Sequence, residues 1–108
     1  MAHSDPKTVL FICTGNYYRS RFAEAVFNHH ALQRGLPWQA FSRGVAIHLA
    51  PPGLSPHTVA ALQERGVPLE RTAPERAQLQ ERDLQRATRA IALKEAEHRP
   101  YLRQQFPA

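Results

Sequence analysis

The pattern of hydrophobic and polar positions predicts two strands and one helix in the first half of the chain. Lys7–Ile12 is rich in β-branched and aromatic residues and has apolar side chains on both faces, which is typical of a strand buried in a parallel sheet. Apolar pairs four residues apart then predict a helix from about Arg19, with Gly35 at its C-terminal cap. A second short strand is expected over Trp38–Ser42, followed by a loop over Arg43–Leu54.

The second half of the chain opens with a clear helix signal and continues less regularly. Ser55 followed by proline provides an N-cap and a first-turn proline, and Gly66 is expected to close that helix. Val67–Glu81 is ambiguous, because two prolines interrupt it. Thr88–Leu93 is predicted to be a third buried strand, and Glu95–Gln105 a final helix.

This alternation of strands and helices implies an α/β fold in three layers around a small central parallel sheet. No repeat, low-complexity tract or linker interrupts the 108 residues, so residues 1–108 are expected to form a single domain. The sequence stops just after a predicted helix, where the alternation would continue with another strand. We therefore expect a domain truncated at its C-terminus, without a last strand and helix.

The cysteine content excludes several classes of protein. A single cysteine cannot form an internal disulfide, a cysteine-rich zinc site or a relay between cysteines of the same chain. The longest strongly apolar run is far shorter than the roughly 20 residues of a membrane span, so no membrane interaction is expected. The N-terminal residues lack the basic-then-apolar form of a secretion signal. The sequence therefore favours a cytoplasmic protein.

The net charge of +5 comes from 12 arginines and 2 lysines against 9 acidic residues. A basic surface is compatible with anionic partners, including nucleic acid and phosphorylated molecules. The arginines are scattered along the chain, which favours ordinary solvated charges over a nucleic-acid-binding patch. No nucleic-acid partner is predicted.

The segment between the first strand and the first helix carries the chemistry. A loop at this place presents backbone N–H groups and the positive end of the helix dipole, which together favour an anion. Cys13 at the end of the strand is then expected to be a reactive thiolate, and Arg19 offers a planar fork for two oxygens of an oxyanion. Ser20 can donate a hydrogen bond to the sulfur. Gly15 is expected to allow unusual backbone angles, and Asn16 to bond its own backbone.

Such a site would attack phosphorus with sulfur and form a cysteinyl-phosphate intermediate. The arginine and the loop amides would stabilise the charge that shifts onto the equatorial oxygens. No ligand-type spacing of histidine, cysteine or acidic residues occurs, so neither a metal nor another cofactor is predicted. The alternative is a buried strand cysteine beside an unrelated turn. The order of strand, glycine loop, arginine, serine and amphipathic helix favours the site.

These residues closely resemble the low-molecular-weight protein tyrosine phosphatase family, over Val9–Ser20 and Ala23–Phe27. The likeness continues more weakly through Ser42–Gly44 and Ala90–Leu93. It implies the phosphotyrosine phosphatase I-like α/β fold, with Cys13 as nucleophile. It also implies that Arg19 clamps the phosphate, that Ser20 stabilises the thiolate and that Asn16 maintains the loop. By the same resemblance, the backbone amides that wrap the phosphate belong to Thr14, Gly15, Asn16, Tyr17 and Tyr18.

The sequence departs from the family pattern at two places. Many members carry a second cysteine in the loop, able to bond to the nucleophile; Tyr18 stands there in this chain. The family's general acid belongs to an Asp-Pro loop far downstream, whereas the only Asp-Pro pair here is Asp5 with Pro6, before the motif. Asp83 is expected at the surface or in a helix cap. No general acid is therefore assigned, and truncation would explain both the missing acid and the missing strand.

The leading functional hypothesis is a cysteine-dependent phosphatase acting on phosphotyrosine proteins or small aryl phosphates, with inorganic phosphate as product or inhibitor. One alternative is a catalytically weak phosphatase-like module that binds phosphate or another oxyanion. The other is an arsenate reductase that uses an external thiol, since one branch of this fold binds arsenate with the same loop.

Overall fold

The computed structural model describes residues 7–93, which form three strands, three α-helices and two short 3₁₀ turns. The strands are β1 (Lys7–Cys13), β2 (Trp38–Gly44) and β3 (Arg89–Ala92). The helices are α1 (Arg19–Gln33), α2 (Pro56–Glu64) and α3 (Glu81–Arg86). The 3₁₀ turns lie at Ile47–Leu49 and Leu69–Arg71. The predicted helix Glu95–Gln105 lies outside the described residues.

The three strands form a parallel sheet in the order β2-β1-β3, as the hydrophobic pattern of β1 predicts. Side chains of a strand alternate between the two faces of a sheet, so β1 contributes to two apolar clusters. Val9 and Phe11 pack on the face covered by α1, where Phe27 meets them. Leu10 and Ile12 pack on the opposite face, towards α3. The sheet therefore lies between two helical layers, which confirms the predicted three-layer α/β fold.

The helix caps follow local sequence signals. The Ser55 hydroxyl accepts a hydrogen bond of 3.2 Å from the N–H of His57 at the start of α2, which satisfies one of the free donors of the first turn. Gly35 and Gly66 follow α1 and α2 with φ of +62° and +67°, a backbone conformation that favours glycine. These predicted helix ends are confirmed.

The predicted burial of the third strand is wrong. Among residues 7–93, β3 lies at an edge of the sheet and pairs with β1, and Ile91 keeps 45% of its surface exposed. The apolar composition predicts a strand here, but it does not determine whether other elements pack over the strand and bury it. Within residues 7–93, no element packs over the outer side of this strand closely enough to bury it.

The ambiguous segment Val67–Glu81 runs alongside the end of β2. The N–H of Gly44 donates to the carbonyl of Ala77 at 2.9 Å, and the N–H of Leu79 donates to the carbonyl of Gly44 at 2.8 Å. The region predicted as a loop from Arg43 begins later, because β2 extends to Gly44. This pairing brings the 72–79 segment to the carboxyl end of β1, where the candidate site lies.

The buried face of α1 differs from the apolar face that its sequence predicts. Phe22, Val26 and Phe27 are only partly buried, whereas Arg21 and Glu24 are buried.

None of the helices in residues 7–93 has the length and apolar character needed to cross a bilayer.

Leu62→Ala should lower the free energy of unfolding by about 2–5 kcal/mol, because the alanine leaves a cavity between α1 and α2. Leu62 is 0% exposed and packs with Ala25 and Val67. Leu32, 61% exposed, provides the matched control: Leu32→Ala should change stability by less than about 0.5 kcal/mol. Urea denaturation of both variants measures the difference, and equal losses would contradict the core position of Leu62.

Candidate active site

The candidate site is built where the central strand ends. Cys13 is the last residue of β1 and is only 3% exposed, and residues 14–18 form the turn that leads into α1. The carboxyl ends of parallel strands are the usual place for ligand sites in open α/β sheets. The predicted nucleophile therefore lies at the base of a loop and not inside an ordinary strand.

Cys13 and Ser20 come together as the sequence predicts. The Cys13 Sγ and the Ser20 Oγ are 2.8 Å apart, and both residues are buried. The Asn16 Nδ2 donates to the same Ser20 oxygen at 2.9 Å. Because that oxygen already accepts a hydrogen bond, the hydroxyl proton of Ser20 is available to the sulfur. The site therefore places a hydroxyl donor beside the sulfur of the predicted nucleophile.

Asn16 maintains the loop, but through partners other than those expected. Its side chain bonds neighbouring elements instead of its own backbone: Nδ2 also donates to Ser42 Oγ at 2.9 Å, and Oδ1 accepts the N–H of Ala77 at 2.8 Å. The backbone of Asn16 is left-handed, with φ of +50°. That conformation costs a non-glycine residue roughly 1–2 kcal/mol, which these hydrogen bonds offset.

Glycine is needed in the loop for space and not for unusual backbone angles. Gly15 is absent from the residues with positive φ, so that expectation is wrong. A Cβ at Gly15 would lie 2.5 Å from the Cβ of Ala50. A Cβ at Gly44 would lie 2.8 Å from the N of Asn16 and the O of Thr14. The phosphate loop is thus in direct backbone contact with the end of β2 and with the 45–50 segment.

The carbonyl groups of the loop are engaged by the surrounding chain. The acceptors are Cys13, Thr14 and Tyr17, and the N–H groups that reach them at 2.8–3.0 Å come from Val45, Ala46 and Ser55. The carbonyl of Tyr18 accepts the Thr58 hydroxyl at 3.3 Å and the Phe22 N–H at 2.9 Å. These four carbonyls are therefore fixed towards the protein.

The N–H groups of residues 15–18 differ from these carbonyls in the part of the chain that the structure describes. Within residues 7–93, no acceptor lies within hydrogen-bond range of the backbone N–H groups of Gly15, Asn16, Tyr17 and Tyr18. No side chain caps the N-terminus of α1 either, and its first residue is Arg19. Buried backbone donors are rarely left without an acceptor. An uncapped helix end beside successive free N–H groups is an anion-binding arrangement.

Tyr18 lies on the outer side of the loop. Its side chain is 47% exposed and stacks on the imidazole of His57, with ring centroids 6.2 Å apart. Tyr17 is partly buried and its carbonyl is bonded to the start of α2. The position at which many family members carry the second loop cysteine is therefore filled by an aromatic ring at the rim.

The structure adds two buried side chains of opposite charge, Arg21 and Glu24, that sequence reasoning missed. The Arg21 Nε donates to Thr72 Oγ1 at 2.7 Å, and its Nη2 donates to the carbonyl of Ala73. The Glu24 carboxylate accepts the hydroxyls of Ser42 and of Thr72, the latter at 3.2 Å, and the N–H of Ala73 at 2.9 Å. The available sequence signal is spacing: residues 21 and 24 are three apart and adjoin Ser20 on the first turns of α1.

Burial opposes the charge on both members of this pair. Burial raises the pKa of Glu24, and the hydrogen bonds from Ser42, Ala73 and Thr72, together with the charge of Arg21, act in the opposite direction. Burial lowers the pKa of Arg21, while the negative charges of Glu24 and Cys13 raise it.

Two further residues position the wall beside the loop. Arg76 Nη1 donates to the carbonyl of Ile47 at 2.6 Å and to that of Ala50. Gln78 Nε2 donates to the carbonyl of Val45 at 2.9 Å. Both act on the 45–50 segment that touches Gly15. Their positions in the irregular 72–79 segment give no periodic signal, so the sequence does not reveal them.

Asp83 belongs to the cap of α3. Its Oδ2 accepts the N–H of Gln80 at 2.9 Å and lies 3.2 Å from Arg43 Nε. The predicted capping role is confirmed, whereas the predicted surface position is wrong, because Asp83 is buried. Its carboxylate is committed to the helix start. Across residues 7–93, no three histidine, cysteine or acidic side chains lie close enough together to hold a metal ion.

Gly15→Ala should weaken phosphate binding at least about tenfold, or ~1.4 kcal/mol, because the new Cβ collides with Ala50 and displaces the loop. The double variant Gly15→Ala/Ala50→Gly removes the colliding atom and should restore binding to within about twofold. Protection of Cys13 from iodoacetamide by inorganic phosphate measures the affinity. A double variant as weak as Gly15→Ala would contradict this steric explanation.

Known proteins share both the sequence and the structure of this chain. An arsenate reductase of Bacillus licheniformis is 39% identical over 61 residues, which is 56% of this chain and 39% of that protein. The low-molecular-weight protein tyrosine phosphatase from T. tengcongensis has a TM-score of 0.79 at 35% identity, covering 94% of this chain and 67% of that one. The arginine phosphatase YwlE from Geobacillus stearothermophilus has a TM-score of 0.71 at 30% identity, covering 94% and 61%.

The chain thus spans about two fifths of the length of the curated relative and about two thirds of the phosphatase structure. Residues 8–107 match the family described as low molecular weight phosphotyrosine protein phosphatase, which is most of the chain. The chain therefore belongs to the low molecular weight phosphotyrosine protein phosphatase family, which is related to the arsenate reductases.

Proposed function

We propose that this protein hydrolyses aryl phosphate monoesters, phosphotyrosine among them, through a phosphorylated Cys13. One observation carries the proposal: the buried Cys13 Sγ, 2.8 Å from Ser20 Oγ, begins a loop with four backbone N–H groups that lack an acceptor within residues 7–93. A nucleophile at one end of an anion-binding loop is the arrangement that transfer of a phosphoryl group to sulfur requires.

Binding is assigned to the loop and to the start of α1. The backbone amides of Thr14–Tyr18 would hold the oxygens of the phosphate, aided by the positive end of the helix dipole. Arg19, the first residue of α1, would place its planar guanidinium on two of those oxygens. These contacts strengthen as negative charge moves onto the equatorial oxygens, so they lower the barrier and do more than bind the ground state.

The reaction proceeds in two displacements at phosphorus. In the first, the Cys13 thiolate forms an S–P bond while the P–O bond to the leaving group breaks with its electron pair. In the second, water attacks the same phosphorus, the S–P bond breaks, and inorganic phosphate departs with the proton balance taken up by solvent. Ser20 stabilises the thiolate before the first step and again as it is released in the second.

The leaving group determines which esters react. Asp83 is the only aspartate among residues 7–93, and it is held in the cap of α3. A leaving oxygen that no acid protonates departs largely as the anion. A phenolate, whose conjugate acid has a pKa near 10, departs far more readily than an alkoxide. This chemistry favours aryl phosphates over phosphoserine or phosphothreonine.

The wild-type protein should release about one p-nitrophenol per Cys13 in a rapid burst from p-nitrophenyl phosphate, because phosphorylation of sulfur precedes slower hydrolysis. Cys13→Ser should give no burst, and Arg19→Ala should slow it by about 10²–10³-fold. Asp83→Asn is the control and should keep the wild-type burst. Stopped-flow absorbance measures all four proteins.

Two outcomes of that experiment would reject the proposal. A burst that persists in Cys13→Ser would exclude the cysteinyl-phosphate. A wild-type protein without a burst, in which phosphate still protects Cys13 from alkylation, would be an oxyanion-binding module without turnover.

Arsenate reduction is a second candidate, supported by the match to arsenate reductases. Cys13 would displace a hydroxyl group of arsenate and form an S–As bond. An external thiol would then attack the Cys13 sulfur, so that arsenic leaves as arsenite with the bonding pair. A second external thiol would release Cys13 and form the external disulfide. Arsenic gains the two electrons that the two thiols lose.

If arsenate is the substrate, glutathione should be oxidised at two thiols per arsenate added, as counted by loss of free thiol. The phosphatase proposal predicts no such oxidation above the rate of Cys13→Ser, because phosphate esters accept no electrons. Arsenate-dependent thiol loss that needs Cys13, together with no burst from p-nitrophenyl phosphate, would replace the phosphatase assignment with reductase.

A further inference from the structure

Arg21 links the loop to the segment that faces it. The side chain is fully buried, and each of its three nitrogens donates to a different acceptor. The Nε bonds Thr72 Oγ1 at 2.7 Å, the Nη2 bonds the carbonyl of Ala73, and the Nη1 makes a long bond of 3.4 Å to the carbonyl of Asn16. One guanidinium thus contacts the 72–73 segment and the left-handed turn of the phosphate loop.

We propose that Arg21 is a positioning residue of the phosphate loop: through Thr72, Glu24 and Asn16 it fixes the direction of the hydrogen bonds that end at the Cys13 sulfur. Arg21 does not touch the reacting atoms in this role. It acts on the residues that orient them, and the role deepens the proposed function without depending on which oxyanion the loop turns over.

The direction is fixed at the Glu24 end of the chain of hydrogen bonds. Thr72 Oγ1 accepts from Arg21, so its proton goes to the Glu24 carboxylate at 3.2 Å. An ionised carboxylate can only accept hydrogen bonds, and the Ser42 hydroxyl donates to it as well. The Ser42 oxygen is then left as an acceptor.

The same direction continues to the nucleophile. Asn16 donates from Nδ2 both to Ser42 and to Ser20, each at 2.9 Å. Two contacts orient the amide: Oδ1 accepts the N–H of Ala77, and Ser42 accepts the bond from Nδ2. Ser20 Oγ accepts the hydrogen bond from Asn16, and its hydroxyl can still donate to the Cys13 sulfur 2.8 Å away. A thiolate is an acceptor, so this direction suits the reactive form.

The positive charge of Arg21 favours the same direction of hydrogen bonding as the geometry does. The positive charge of Arg21 opposes the effect of burial on the pKa of Glu24 and so favours the ionised, accepting carboxylate. It also interacts directly with the charge of Cys13. If Arg21 were lost, a protonated Glu24 could donate to Ser42 and compete with the bond that Asn16 makes there.

A purely structural role makes a different prediction. Buried ion pairs often add little net stability compared with apolar residues of similar volume, because both charges lose their hydration. If Arg21 only joined α1 to the 72–73 segment, its replacement would change the unfolding transition alone. A positioning role changes Cys13 reactivity and phosphate affinity in molecules that remain folded.

The test uses the full chain and four variants. Arg21→Met/Glu24→Gln removes both charges together, so that no unpaired buried charge prevents folding. Arg21→Lys keeps the positive charge but loses the planar guanidinium with its three donating nitrogens. Glu24→Gln alone removes the accepting carboxylate. Arg34→Met, at the exposed C-terminal end of α1, is the control with the same change of residue type. Thermal denaturation of each variant defines the temperature at which every variant used is fully folded.

The measured quantities are the rate of Cys13 alkylation by iodoacetamide at neutral pH and the phosphate concentration that halves it. We expect the double variant and Glu24→Gln to lower the alkylation rate and the phosphate affinity by about tenfold, which corresponds to ~1.4 kcal/mol each. Arg21→Lys should recover part of both losses, and Arg34→Met should match the wild type.

Alkylation and phosphate affinity within twofold of wild type in folded Arg21→Lys and in the folded double variant would overturn the proposal. If the double variant does not fold, Arg21→Lys and Glu24→Gln decide the case by the same criterion. Alkylation needs no catalytic turnover. A wild-type protein without phosphatase activity would therefore refute the proposed function, while the response of Cys13 to Arg21 would still test this role.

Discussion

The side chain of Asn16 is the interaction on which the candidate site depends. Its amide joins three parts of the fold to the loop, since it bonds Ser20 on α1, Ser42 on β2 and the N–H of Ala77. The same residue carries the left-handed turn that separates the engaged carbonyls of the loop from its free N–H groups. The left-handed backbone conformation of Asn16 costs roughly 1–2 kcal/mol. It persists because the hydrogen bonds of the side chain hold the residue in place. The sheet, the helix and the 72–79 segment thereby hold an anion-binding loop in one conformation.

Much of this arrangement could be predicted from the sequence, because the signals that specify it are local. The apolar run of β1, the Ser55 cap and the glycine after each long helix act within a few residues of themselves. The pairing of Cys13 with Ser20 is also local, since a short turn joins the strand to the helix that carries the serine. A loop of that length at the end of a buried strand leaves few other places for the two side chains.

The rest depends on contacts between distant residues, which no local pattern reports. Gly15 is required by the methyl group of Ala50 and not by its own backbone angles. The partners of Asn16 lie 26 and 61 residues away at Ser42 and Ala77. The buried Glu24 carboxylate accepts hydrogen bonds from Ser42 and Ala73, which are 18 and 49 residues away. β3 has the composition of a buried strand, and its exposure is set by its place at the edge of the sheet.

The solitary cysteine links the two chemistries that the family relationship allows. Cys13 is buried at the base of the loop, beside Ser20. No second cysteine of this sequence can reduce it after oxidation, and the neighbouring rim position holds Tyr18, stacked on His57. A thiol from outside this sequence would restore a sulfenic acid at Cys13, and the same thiol would be the reductant for arsenate. What separates the two activities is the atom at the centre of the bound oxyanion: phosphorus takes no electrons from sulfur, whereas arsenic takes two.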